Sequence, residues 1–403
     1  MKFSRIWRNF LTLSAGETVA RILHALAFFA VARRAGAEAF GAFGVAMAIA
    51  LYMSITVQQG FDTIGIRSGA KEPEKMKQLA AKILGLRLIS FAIAAIALII
   101  YTLAREATSS FKIALLLLSF GAMIRQVPPR WALQALETPM PIALSNIGAQ
   151  FSLLIGSLFM SRPEDIIWAG VGQLAGETIS LIYLFWQLSP QLGWPTLSFD
   201  GMPLLRESIP LTMTVLIGTL LYNFDILALD WLRRPWVEIG LYAAAYRCVN
   251  IFSLLVGNLQ ISILPLFSRA YPDTGEARRL AIRAIRYSVP AGTLLALIFA
   301  LFGRQILVML YGEAYSDAAK LLSILTWVMP LQALRGVLRQ MLLAFHHQHI
   351  DLRNMSAGLV VNVTLDLLLI PQYGPMGCAI STIASECVLT ALSALSVRKN
   401  FAV

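Results

Sequence analysis

Stretches of about 20 mainly apolar residues, the length that crosses the hydrocarbon of a bilayer, recur along the whole of this chain. Ile113–Met123, Ala92–Ile100, Leu294–Phe302 and Leu365–Ile370 are the apolar cores of four of them. A segment in hydrocarbon must satisfy its own backbone hydrogen bonds, and a helix does so within itself. Composition closes the alternative of a soluble helical protein with a greasy interior. Of 403 residues, 58% are hydrophobic and 14% charged, whereas a soluble domain carries about 25% charged residues.

Apolar runs between polar breaks place spans near 11–32, 40–61, 79–103, 111–127, 139–160 and 166–187. A second set lies near 207–231, 240–266, 287–309, 318–343, 355–371 and 376–397. The expected fold is therefore all-α and polytopic, with about twelve transmembrane helices in two pseudo-symmetric six-helix lobes. The longest polar break, rich in Pro and Gly, divides the chain into a lobe over 1–190, a linker over 191–206 and a lobe over 207–403.

The net charge of +11 does not point to nucleic acid, because the basic residues sit mostly in short connections between spans. There they set topology and meet anionic headgroups. Lys2, Arg5, Arg8, Lys71, Lys75, Lys77, Arg278, Arg279, Arg398 and Lys399 fall on one side, and Arg33, Arg34, Arg105, Arg233 and Arg234 on the other. The bias puts both termini in the cytoplasm. The basic, then apolar N-terminus is interrupted by Glu17 and Arg21, so it reads as a first span and not a removed signal peptide. Cys248, Cys378 and Cys387 lack metal or disulfide spacing and read as small buried hydrophobes.

An internal repeat is visible. RRAGAEAFGAFG from Arg33 and RRPWVEIGLY from Arg233 share Arg-Arg, an acid four residues on, then Gly and an aromatic. Gly170–Glu177 likewise sits in the last span of the first half much as Cys378–Glu386 sits in that of the second. Similarity at an offset of about 200 is the trace expected of a transporter built from two repeats.

Polar groups inside spans are costly and normally face a protein interior or an aqueous cavity. One acidic group, Asp225, Asn362, Asp366 and Thr382, lies in the second half. Asn362 and Asp366 are four apart and share a helical face, and Thr382 follows across the short turn PQYGPMG. With a free backbone carbonyl at Cys378 they make an all-oxygen cage for a small hard cation, Na⁺ or H⁺. The competing reading pairs both Asp residues with intramembrane arginines. A basic group, Arg21, Arg87, Arg125, Arg247, Arg335 and Arg339, spreads over both halves. Guanidinium forks suit phosphate, and a cationic path implies an anionic cargo. Glu17 and Arg21 at i, i+4 could instead neutralise each other. Arg335 and Arg339 share a face with no acid near in sequence, which points to a cavity lining or to snorkelling. Glu177 and Glu386 read as partners for arginines. His346, His347 and His349 read as a solvated turn.

The stretches FDILALDWLRRPWVEIGLYAAAYR, LYGEAYSDAAKLLSIL and NVTLDLLLIPQYGPMGCAISTIASE resemble the polysaccharide transporter branch of the multidrug/oligosaccharidyl-lipid/polysaccharide exporter superfamily. The resemblance implies a flippase that moves undecaprenyl-diphosphate-linked oligosaccharide, an O-antigen or exopolysaccharide repeat unit, across the bacterial inner membrane by alternating access. Its partners would be that lipid-linked substrate, membrane lipids and other polysaccharide-assembly proteins, and it would work as a monomer. Related lipid II flippases imply a sodium site matching Asp225, Asn362, Asp366, Cys378 and Thr382, and diphosphate-binding arginines matching Arg21 and Arg247. The chain departs from them in lacking two further C-terminal helices and a mid-span arginine near Gln58 and Gln59. Lipid II is thus the less favoured cargo. A drug/cation antiporter of the same superfamily is the alternative, disfavoured by the basic lining. A membrane enzyme is disfavoured because the outer connections are short.

Overall fold

A computed structural model describes the backbone of residues 2–194 and 196–401 and the side chains of residues 9, 11–194, 196–250 and 262–401. The basic residues Lys2, Arg5 and Arg8 lie outside the described side chains. No strand occurs among the described residues. The helices divide into two compact units, Met1–Leu216 and Ile217–Val403.

In the first unit α1 (Lys2–Gln58) runs through a kink at Gly36, where φ 82 and ψ −178 demand a residue without Cβ. Then follow α2 (Phe61–Lys71), α3 (Met76–Ala104), α4 (Ser109–Ile124), α5 (Arg130–Ala135), α6 (Met140–Leu158) and α7 (Ile166–Leu192). The unit boundary falls inside α8 (Met202–Trp231). The second unit continues with α9 (Trp236–Ala270), α10 (Thr274–Tyr311), α11 (Ala318–Leu325), α12 (Val328–Ala344), α13 (Gln348–Tyr373) and α14 (Pro375–Asn400). Among the described residues, eight stretches are long and apolar enough to cross a membrane, fewer than the twelve expected. One of the eight, Leu11–Lys71, joins what the sequence reads as two spans, because the helix continues through Gly36. Another expected span, α4, has 16 residues and is short of a full crossing.

The helices are apolar on the outside. On α3, Ile93, Ile96, Ile100 and Leu103 are 60, 59, 62 and 74% exposed at helical spacing, while Arg87 and Ser90 are buried. On α10, Leu294, Leu301 and Met309 stand out in the same way. Water would penalise such faces; lipid accepts them. The chain is a multi-pass membrane protein. Cys387 belongs to this outer surface and corrects the expectation of three buried thiols. Cys248 and Cys378 are buried, but Cys387 is exposed on α14, where hydrocarbon satisfies an apolar side chain as well as a core would.

Small residues bring the helices together. A Cβ on Gly156 of α6 would lie 2.3 Å from the Trp168 carbonyl of α7, and one on Gly172 would lie 2.5 Å from the Ser152 carbonyl. Close backbone approach of this kind replaces the hydrophobic drive that lipid removes. Two short helices that the apolar runs do not announce, α2 and α5, enclose Trp131, which is fully buried against Gly65. The segment between α7 and α8 lies along α3: Ser198 N–H donates to the Ala81 carbonyl at 3.1 Å, and Lys82 faces Asp200 at 3.8 Å.

The repeat has a structural counterpart. Arg34 Nε donates to the Met160 carbonyl, 3.1 Å away in the α6–α7 connection. Arg234 packs against Gly374, in the α13–α14 connection. In each half the second arginine of the Arg-Arg pair thus reaches the turn before that half's last helix.

Candidate functional site

The acidic group assembles inside the second unit. Tyr242 on α9 donates its hydroxyl to Asp225 Oδ2 on α8. Thr382 on α14 donates to the same oxygen at 3.0 Å, and to the Cys378 carbonyl one turn back at 2.7 Å. Ser381 donates to Asp366 Oδ1 and to the Cys378 carbonyl at 3.0 Å. Asp225 also interacts with Asp366 and Asn362. The α13–α14 hairpin makes this geometry. Gly374, at φ 56, turns the chain, Pro375 starts α14, and Gly377 packs directly on the Leu369 and Ile370 backbone. The two helices then run antiparallel, with Asp366 facing Ser381.

Asp225, Asn362, Asp366 and Thr382 are all buried. Among the described residues Arg21, Arg87, Arg125, Arg335 and Arg339 pair with Glu17, Asp62, Glu177, Glu386 and Asp351, and not with Asp225 or Asp366. Three oxygens are left over. Asp225 Oδ1, Asn362 Oδ1 and Asp366 Oδ2 are buried without a hydrogen-bond partner. Two carboxylate oxygens and an amide oxygen left over, with hydroxyl donors on the other oxygen of each carboxylate, suit a small cation or a shared proton. The residues present fit such a guest. The Cys378 carbonyl is covered by two hydroxyls, so its share in the cage would require them to rotate. Among the described residues no group of three or more His, Cys, Asp or Glu side chains makes a conventional metal site.

The basic group disperses. Arg21 on α1 is 55% exposed and meets Glu17 at 3.0 Å, the i, i+4 pairing anticipated for it. Arg87 is closed in: it donates to Asp62 at 2.8 Å and to the Pro128 carbonyl at 3.1 Å. Arg125 donates to Glu177 at 3.0 Å and to Asn146 at 3.2 Å, with Arg130 on the same asparagine at 2.6 Å. In the second unit Arg335 donates to Glu386 at 2.9 Å and to the Tyr222 hydroxyl at 2.6 Å. Arg339 donates to Asp351 at 2.9 Å. The expectation of a cavity lining or snorkelling for Arg335 and Arg339, drawn from the lack of an acid near in sequence, gives way to ion pairs with acids from α14 and α13. Arg247 on α9 is half-buried and lies beside Tyr311 of α10. Glu177 and Glu386 are, as expected, partners of arginines.

Sequence reasoning missed Tyr242, Ser381 and Arg130. Tyr242 and Tyr246 do stand at i, i+4, their rings stacked 5.7 Å apart, and Ser381 adjoins Thr382. Those spacings were the available signals.

The family described as "Polysaccharide biosynthesis protein" matches residues 6–271. A "Putative O-antigen transporter" of Escherichia coli K12 is 26% identical, covering 98% of this chain and 97% of that protein. A "Probable low-salt glycan biosynthesis flippase Agl15" of Haloferax volcanii is 24% identical over 59% of this chain and 51% of that protein. Both are named for transport or flipping, not for catalysis. Among solved structures, an inward-facing multidrug resistance MATE family transporter of the MOP superfamily superposes with TM-score 0.75 at 14% identity, covering 94% of each chain. The lipid II flippase MurJ in an inward closed conformation gives TM-score 0.75 at 13% identity, over 96% of this chain and 87% of that one. Identities this low speak for the fold alone: it is that of the MATE and MurJ exporters.

Proposed function

This chain belongs to the polysaccharide biosynthesis protein family, and from that premise we propose that it is a flippase for lipid-linked oligosaccharide. The cargo is an undecaprenyl-diphosphate-linked repeat unit of the O-antigen or exopolysaccharide kind. It crosses the inner membrane by alternating access, with both termini cytoplasmic. The observation that carries the reading is the near end-to-end match to a protein named a putative O-antigen transporter. Chemistry supports it. Arg21, 55% exposed on α1, and Arg247 of α9, beside Tyr311, are the guanidinium groups we assign to the diphosphate, whereas Arg87, Arg335 and Arg339 are tied to acids of other helices. Those three, and Arg125, hold the helices that carry the path.

Asp225, Asn362, Asp366 and Thr382 would hold the coupling cation, Na⁺ or H⁺, which biases the equilibrium between inward- and outward-facing states by binding one of them more tightly. Arg247→Ala is expected to abolish polysaccharide export while the protein still reaches the membrane in normal amount. Normal surface polysaccharide in that variant would refute the assignment.

A further inference from the structure

At one end of the second unit, α9 ends, α10 begins, α12 ends, α13 begins and α14 ends. One apolar cluster that includes Ala277, Ala281, Phe345, Ile350, Val397 and Phe401 holds these ends together. Basic residues crowd the same end: Arg278, Arg279, Arg283 and Arg286 on the first turns of α10, and Arg398 and Lys399 at the close of α14. Charge at a cytoplasmic border is ordinary and by itself sets only topology. A groove of about 280 Å³ between α13 and α14 is different.

Two helices converge on it. His349 and Arg353, four apart, share one face of α13, while Leu392, Leu395, Ser396 and Lys399 share one face of α14. The floor is apolar, from Ile350, Leu392 and Leu395, and Leu395 is 60% exposed. The rim is cationic and polar. Arg353 and Lys399 are exposed, and neither forms an ion pair among the described residues. The nearest acid in sequence, Asp351, is buried and already bound to Arg339 at 2.9 Å. The groove therefore offers a phosphate two unneutralised cations and hydrogen-bond donors, over a hydrophobic strip on which an acyl chain can lie.

We propose that this α13–α14 groove is a binding site for an anionic phospholipid of the phosphatidylglycerol type. The headgroup phosphate lies between Arg353 and Lys399, and an acyl chain rests on Leu392 and Leu395. The site is separate from the oxygen cage and from the arginines assigned to cargo, and it stands whatever sugar the protein moves. It ties α13, the helix that carries Asn362 and Asp366, to the leaflet through its first two turns.

Native mass spectrometry of the full chain from detergent, titrated with phosphatidylglycerol or phosphatidylcholine, tests this. Wild type should retain phosphatidylglycerol in preference to phosphatidylcholine. Arg353→Gln/Lys399→Gln should weaken phosphatidylglycerol by about fivefold for each cation removed, while Arg278→Gln/Arg279→Gln leaves it within twofold. Leu395→Asp, which keeps both cations and spoils the floor, should weaken it as well; it is a second variant if the first misfolds. Unchanged binding in both groove variants overturns the proposal, as does equal loss in the α10 variant, which would mean a diffuse field. Displacement by millimolar inorganic phosphate would make this a free-phosphate pocket. Tighter binding of a polyprenyl diphosphate through the same two residues would make it a cargo site. Either result also overturns the proposal.

Discussion

Two buried carboxylates with three unclaimed oxygens between them and Asn362 are the sharpest chemical feature of the chain. Asp366→Asn keeps the shape of the site but removes one charge. It is expected to make transport insensitive to an imposed sodium or proton gradient, read as polysaccharide export or flipping in vesicles. Tyr242→Phe removes a donor from Asp225 and leaves the cage standing. A hydrogen bond to a charged group contributes about 1.5–3 kcal/mol, so the cation dependence should shift by about tenfold or more without loss of folding. The paired arginines behave differently. Arg335→Met strands Glu386, which is buried, and breaking such a pair costs about 3–5 kcal/mol. Arg335→Met/Glu386→Leu should recover most of that in a detergent melting experiment. Asp366 and Asn362 were legible in the sequence because helical spacing alone puts them on one face. Tyr242 was not, since a tyrosine in an alanine-rich apolar run looks the same whether its hydroxyl meets lipid headgroups or a carboxylate from another helix. The partners of Arg335 and Arg339 were hidden for a related reason. They lie 51 and 12 residues away in the chain, and only tertiary packing brings them close.

Among the elements, the connection between α7 and α8 is a fitted strap rather than a loose tether. A Cβ on Gly85 of α3 would stand 2.2 Å from the Ser198 carbonyl, so Gly85→Ala must push the strap away. The expected result is destabilisation of about 1–3 kcal/mol and faster protease cleavage within residues 193–201, mapped by mass spectrometry. Helix positions were readable from the sequence because run length and charge spacing report bilayer thickness directly. The short α2 and α5 were not. At 11 and 6 residues they have no such ruler, and their existence depends on Trp131 finding Gly65. Gly36 was equally silent: nothing in a run of small residues says whether the chain turns with the helix broken or continues through a kink.

For the whole molecule, the outward face is the test of class. Ile93→Lys places a charge on the exposed apolar side of α3. It is expected to lower the membrane-inserted fraction, since a charge near mid-span costs about 2.5–3.5 kcal/mol. Ser90→Ala, on the buried side, should leave insertion unchanged. A soluble protein would give the reverse order of sensitivity. The bond from Arg34 to the Met160 carbonyl and the packing of Arg234 against Gly374 also bear on ancestry. Two halves that each set the second arginine of an Arg-Arg pair against the turn before the last helix are most simply the daughters of one duplicated gene. That placement recurs in both units, while among the described residues the oxygen cage stands in the second alone. What duplication preserved is the means of closing a unit. What it released to change, once a sister copy could bear the structural load, is the chemistry held inside.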